Sequence, residues 1–247
     1  MQSITSIKLL AIIFIFSASF ACAGDYEEAE KFYKNRDYSA ALKKYKSAAE
    51  QGNAGAQINL GYLYEKGLGT AQNSTEAVRW YKLAAKKGRP VAQYNLGNMY
   101  STGQGVPQNY VEAARWYRLA ALQGKVEAQH NLGNRYSNGQ GVALDYKESV
   151  HWYKMAATNG FPFSQFNLGN MYRTGQGVAQ SYPEAARLYK LAAASGMPEA
   201  QFALGIVYSA GQGVAQDKAD SKVKCNTSQP VRSADAFHLT ALSPASA

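Results

Sequence analysis

Several residue types are scarce in this chain, and each scarcity removes a class of explanation. Only two cysteines are present, Cys22 and Cys225, too few for the disulfide framework that small exported domains use in place of a core. The three histidines, His130, His151 and His238, stand in unrelated contexts, so no spacing suggests a metal site or a nucleophile–base–orienter set. The only long apolar run is Leu9 to Phe16, too short to span a bilayer comfortably. Acidic residues are outnumbered, 17 against 26 Lys and Arg, for a formal charge of +9. The cations are spread singly, as at Arg79, Lys82, Lys86 and Lys87, the mark of solvated helix faces rather than of a nucleic-acid stripe. Nucleic acid is therefore not an expected partner, while contact with anionic envelope surfaces stays open.

The first residues read as a targeting segment. Lys8 precedes the apolar run, and Ala21-Cys22-Ala23 supplies a small-residue cleavage site before Gly24-Asp25. This order predicts a secretory signal over 1–23, cleaved after Ala23, and a secreted or periplasmic mature chain without a transmembrane segment. Lipidation at Cys22 is the alternative, opposed by Ser19 and the bulky Phe20 in front of it.

What the sequence has in abundance is repetition. Leu60-Gly61 returns at Leu96, Leu132, Leu168 and Leu204, each 36 residues after the last with no insertion between. A fixed period of this length marks a solenoid, whose units bury their apolar faces only by stacking. Within a unit, Ala92, Gln93, Leu96, Met99 and Tyr100 share one helical face, and Val91, Tyr94, Asn98 and Ser101 the other. Glycine follows leucine in all five units, where it costs a helix interior about 0.5–1 kcal/mol; close approach of a second helix is the natural compensation. A Gly-x-Gly loop comes next, as at Gly103-Gln104-Gly105. With no strand before it and no GK[ST] after it, it is not a phosphate cradle; the first glycine predicts a left-handed helix cap and the second a positive-φ turn.

A second helix opens with the pairs Asn73/Glu76, Asn109/Glu112, Asp145/Glu148 and Ser181/Glu184, each with capping-box spacing. It continues through Trp80-Tyr81, Trp116-Tyr117, Trp152-Tyr153 and Leu188-Tyr189 to an alanine pair and a closing glycine. All three tryptophans fall in one column, which reads as core between interlocking helices.

The pattern A-x-x-x-L-G-x-x-Y-x-x-G-x-G-V followed by E-A-x-x-W-Y-x-x-A-A-x-x-G resembles the Sel1-like repeat, a relative of the tetratricopeptide repeat. The resemblance implies an all-α protein, an α/α solenoid superhelix with a concave groove, used mainly as an adaptor for protein or peptide partners. The expected organisation is a tetratricopeptide-like capping helix pair over 24–52, an array over 53–216 of four full repeats and half of a fifth, and an atypical tail over 217–247. In that tail Lys224-Cys225 and Ser228-Gln229 replace the aromatic and alanine pairs, predicting loose or disordered structure, either a natural cap or a frameshift product. Some cysteine-rich exported relatives are β-lactamase-like or penicillin-binding, but this chain lacks their cysteines, S-D-N and K-T-G; its one S-x-x-K, Ser221 to Lys224, lies in the tail. No catalytic, cofactor-binding or metal-binding residues are expected. A binding module, a cell-wall hydrolase and a structural spacer are the three function classes, with the binding module favoured.

For that module, the face opposite the packing stripe predicts the partner groove. Carried through the repeats it holds Tyr62, Tyr94, Asn98, His130, Asn134, Phe166, Asn170 and Phe202. Amides there would pair with an extended peptide backbone and aromatics would grip its side chains; hydrogen bonding of the asparagines to neighbouring helices is the plainer alternative.

Overall fold

The computed structural model describes residues 24–211; the proposed signal, Cys225 and the tail after 217 lie outside the described residues. Eleven helices follow one another among the described residues: α1 over 24–34, α2 Tyr38–Glu50, α3 Ala54–Lys66, α4 Ser74–Lys86, α5 Pro90–Thr102, α6 Tyr110–Leu122, α7 Val126–Asn138, α8 Tyr146–Thr158, α9 Pro162–Thr174, α10 Tyr182–Ala194 and α11 Pro198–Ser209. Each packs chiefly on its chain neighbours, so the core is a series of linked clusters rather than one centre. No strand occurs among the described residues.

The glycine after leucine lets the two helices of a repeat touch. A Cβ on Gly97 would lie 2.6 Å from the Tyr117 ring, and one on Gly133 2.7 Å from Tyr153. Both tyrosines are buried. The tryptophans bind one repeat to the one before: Trp80 packs among α1–α3 residues such as Ala29, Tyr45 and Leu60, and Trp116 among Ala77, Tyr81 and Leu96. Their burial agrees with the core reading. The buried Gln57, Gln93, Gln129 and Gln165 add a polar tie, each donating Nε2 to the last-turn carbonyl of the preceding second helix, at Ala49, Ala85, Ala121 and Ala157.

Both loop glycines behave as expected, and the second does more. Gly103 caps α5 in the left-handed region (φ 76°), its N–H bonded to the Met99 carbonyl at 2.9 Å. Gly105 has φ 71°, and a Cβ on it would stand 2.8 Å from the Thr75 nitrogen and closer still to the Ser74 carbonyl, in the first turn of the previous repeat's α4. This glycine therefore sets how near successive repeats come.

The capping boxes are half made. The side chains of Asn73, Asn109, Asp145 and Ser181 accept from the backbone N–H of Glu76, Glu112, Glu148 and Glu184. The reciprocal bond from the glutamate is replaced, because each cap's own N–H reaches a tyrosine carbonyl of the preceding helix, Tyr64, Tyr100, Tyr136 or Tyr172. The freed glutamates pair with Arg79, Arg115 and Arg187 one turn on. Where His151 replaces the arginine, Glu148 instead accepts from Trp152 Nε1 at 3.1 Å.

Candidate functional site

The predicted groove residues recur along α3, α5, α7, α9 and α11, one helix of each repeat. Tyr62 is 37% exposed and Phe202 70%, whereas Tyr94, Asn98, His130, Asn134, Phe166 and Asn170 are half-buried. Their inner sides rest on the tyrosines of the second helices: Tyr94 on Tyr117 at 6.1 Å between ring centres, His130 on Tyr153 at 5.7 Å, Phe166 on Tyr189 at 5.7 Å.

The tyrosine hydroxyls then emerge among the asparagines. Tyr117 and Tyr189 donate to Asn98 Oδ1 and Asn170 Oδ1 at 2.7 Å, and Tyr153 donates to Asn134 Oδ1. Toward the N-terminus carboxylates take this role, Glu30 for Tyr45 at 2.6 Å and Glu65 for Tyr81 at 2.8 Å. Burial pushes the Tyr81, Tyr117, Tyr153 and Tyr189 hydroxyls up, so each stays a donor at any physiological pH. The same amide oxygens also accept from the next repeat, Asn131 Nδ2 to Asn98 and Asn167 Nδ2 to Asn134, both at 3.4 Å. The asparagines thus form a ladder that ties repeat to repeat. Their acceptor oxygens are thus used by neighbouring helices, as the plainer alternative had it, so replacing all three lowers stability as well as altering the surface.

His130 is the most elaborately held member. Nδ1 lies 2.9 Å from Ser164 Oγ, and Asn134 Nδ2 lies 3.1 Å from Nε2, inside a ring of Phe161 (5.1 Å), Phe163 (6.2 Å) and Tyr153. The amide nitrogen can only donate, so Nε2 accepts and the proton sits on Nδ1. Burial lowers the imidazole to about 4, leaving it neutral. Ser164 is buried at 0% exposure, which bars it from reaching a substrate, so the contact is a packing bond and not a nucleophile–base pair.

Sequence reasoning missed the tyrosine hydroxyls, Asn131, Asn167 and Ser164. The invariance of tyrosine where phenylalanine would fill the space equally well was the available signal. Among the described residues no three His, Cys, Asp or Glu side chains converge on one point, and no helix is long and apolar enough to cross a membrane.

With this repeat geometry established, comparison with known proteins is direct. The Sel1 repeat model matches residues 31–53, 54–88, 90–125, 126–161, 162–197 and 198–221. The chain belongs to the Sel1 repeat family. Its members are generally protein-interaction scaffolds. Among solved structures it is similar to c5321, a protective antigen of uropathogenic Escherichia coli with an SLR fold, at 35% identity and TM-score 0.79 over 81% of this chain; it spans 44% of that protein's length. It is also similar to a Sel1 repeat protein from Oxalobacter formigenes, at 35% identity and TM-score 0.74 over 80% of this chain and 78% of that one. No curated protein matches the chain. The Sel1 match begins within α1, so the unit set apart as a cap shares the family pattern in part.

Proposed function

We propose that this Sel1 repeat protein is an exported adaptor that holds a protein or peptide segment along the concave groove formed by α3, α5, α7, α9 and α11. The observation that carries the reading is the row of Tyr94, His130 and Phe166, each resting on a second-helix tyrosine and stiffened from behind by the tyrosine–asparagine ladder, with the exposed Tyr62 and Phe202 on the flanking first helices. Half-buried rings already fixed by packing lose little rotamer freedom when a ligand covers them. A spacer has no need of such a row, and a hydrolase needs a reactive set in place of it. Since the asparagine oxygens are in use and Asn134 Nδ2 is held by His130, the aromatic edges and the amide nitrogens of Asn98 and Asn170 do the reading. Export rests on Lys8, the Leu9–Phe16 run and the Ala21–Ala23 site.

The test is crosslinking capture from intact cells with the wild-type chain, a Tyr62→Ala/Tyr94→Ala variant and a control altered on the opposite helices, Leu83→Ser/Leu119→Ser. Loss of the captured partner in the first variant alone supports the groove; equal capture by all three removes it. A mature N-terminus at Gly24 supports export by cleavage, and an intact Met1 contradicts it.

A further inference from the structure

The two helices of the repeat differ in charge. The first helices α3, α5, α7, α9 and α11 carry three Lys or Arg and three Glu, a balance of zero. The second helices α2, α4, α6, α8 and α10 carry twelve Lys or Arg against five Glu, a balance of +7. Cations that stand apart along the chain are thus gathered by the fold, and the repeat period puts them in register. Lys46, Lys82, Arg118, Lys154 and Lys190 follow one another at 36-residue intervals, each directly after a buried tyrosine. All are exposed except Lys82, which is half-buried. The column one turn earlier, Arg79, Arg115 and Arg187, is answered by Glu76, Glu112 and Glu184. This column forms no ion pair among the described residues. Lys82 and Arg118 instead lie over the Tyr100 and Tyr136 rings, 5.5 and 5.7 Å from their centres, which holds the charges in place without cancelling them.

Beside the cations runs an apolar row. Leu83 and Leu119 are each 38% exposed, Leu191 42%, and the half-buried Met155 fills the same column on α8. Positions i, i+3, i+4 and i+7, as in Arg115, Arg118, Leu119 and Leu122, share one helix face, so cation and apolar side chain stand side by side on α4, α6, α8 and α10. That combination decides what the face suits. A nucleic acid gains from the cations but not from leucines set among them, and stacking needs exposed rings, whereas Trp80, Trp116 and Trp152 are buried. Lysine and arginine interchange along the charged row, and leucine and methionine along the apolar one, so no fixed fork of donors is presented. A fluid layer of acidic headgroups over acyl chains asks only for those two properties, positive charge and apolar side chains that enter the boundary beneath the headgroups. Residues 1–23 and 212–247 together hold five Lys or Arg against three Asp, so neither terminus offers this face an acidic cover.

We propose that the second-helix side docks on bilayers rich in anionic phospholipid, with Lys46, Lys82, Arg118, Lys154 and Lys190 among the headgroups. The groove row belongs to the first helices, so this contact stands whether or not the groove holds a peptide. Association is peripheral and reversed by salt, because exposed charges are screened over about 10 Å at 0.1 M ionic strength.

Cosedimentation of the full chain with vesicles of phosphatidylglycerol and phosphatidylcholine reads the contact, and vesicles of phosphatidylcholine alone give the background from the Leu9–Phe16 run. Wild type should bind the anionic vesicles above that background and leave them as sodium chloride is raised. Lys46→Gln/Lys154→Gln/Lys190→Gln should lower the partition coefficient about a hundredfold, at about fivefold for each cation. These three side chains are exposed, so the fold is kept, which far-ultraviolet circular dichroism confirms. Lys66→Gln/Lys125→Gln/Arg173→Gln removes the same charge outside the second helices and should stay within a few-fold of wild type. Leu122→Ser/Leu191→Ser, at side chains 67% and 42% exposed, should weaken vesicle binding severalfold. Absence of binding to anionic vesicles overturns the proposal, as does equal loss in the two triple variants, which would make binding a matter of net charge alone. Vesicle binding that ignores Leu122→Ser/Leu191→Ser and is matched on duplex DNA assigns the row to a linear polyanion and overturns it as well.

Discussion

Replacing single glycines by alanine separates backbone strain from repeat spacing, because three glycines of one repeat share a positive φ and differ in their surroundings. Gly124 (φ 83°) has nothing within 4 Å of its would-be Cβ, Gly103 (φ 76°) would press on Gln108 Cβ at 3.3 Å, slightly inside ordinary contact, and Gly105 (φ 71°) would meet backbone of the preceding repeat at 2.8 Å or less. Gly124→Ala should therefore cost only the strain of a left-handed residue, about 1–2 kcal/mol, and Gly103→Ala that strain plus a small displacement of Gln108. Gly105→Ala adds a collision with backbone, which has no rotamer in which to escape. Relief requires the two repeats to part by on the order of 1 Å, forfeiting a quarter to a half of the dispersion attraction at each contact there. The total should reach about 3 kcal/mol or more. Urea unfolding followed by tryptophan fluorescence and circular dichroism together checks this, with coincident curves showing that the array melts as a unit. The reasoning is refuted if Gly105→Ala unfolds at the same urea concentration as Gly124→Ala.

Other expectations follow from the packing and the ladder. Trp116→Ala should lose on the order of 3–5 kcal/mol by opening a cavity between α6 and the α4–α5 pair, seen as a lowered urea midpoint; an unchanged midpoint would contradict its buried position. Tyr117→Phe should cost about 1 kcal/mol through loss of the bond to Asn98, and in an Asn98→Ala background the same change should cost less, which a double-mutant cycle measures. His130 is held neutral with a pKa near 4, below the unfolded value near 6.5. The unfolded chain thus binds the proton first, and stability should be level above about pH 6.5, then fall by up to about 3 kcal/mol as pH drops toward 4. His130→Phe should flatten that slope in urea midpoints taken across the range.

Much of this architecture was legible because the same physics is written five times. One leucine-glycine pair says little; five at a constant spacing identify a floor that something large must cover, and Tyr117 over Gly97 is what covers it. The positive φ of Gly105 could be read from its place in a loop. Its collision partner could not, since Ser74 lies 31 positions away and nothing local to the loop announces contact between repeats. The capping boxes were half legible for a related reason: spacing predicts which side chain caps the helix, and the competing carbonyls of Tyr64 and Tyr100 come from tertiary packing. At the candidate site a helical wheel correctly grouped Tyr94 with Asn98 and His130 with Asn134. It could not show that tyrosines counted as core fillers would push their hydroxyls through to the same amides. The asparagine column follows the plainer alternative, half-buried amides whose acceptors are used from behind by neighbouring helices.

The central claim is that partners lie along the first helix of each repeat, and site-specific photocrosslinking in living cells tests it most directly. A photoreactive residue placed at position 62 or 163 on that side, and at 83 or 191 on the second helices, is exposed in every case. The account predicts a common crosslinked partner from positions 62 and 163 and none from 83 and 191. Crosslinks that arise only from 83 and 191 would contradict it and move the binding surface to the other side of the solenoid.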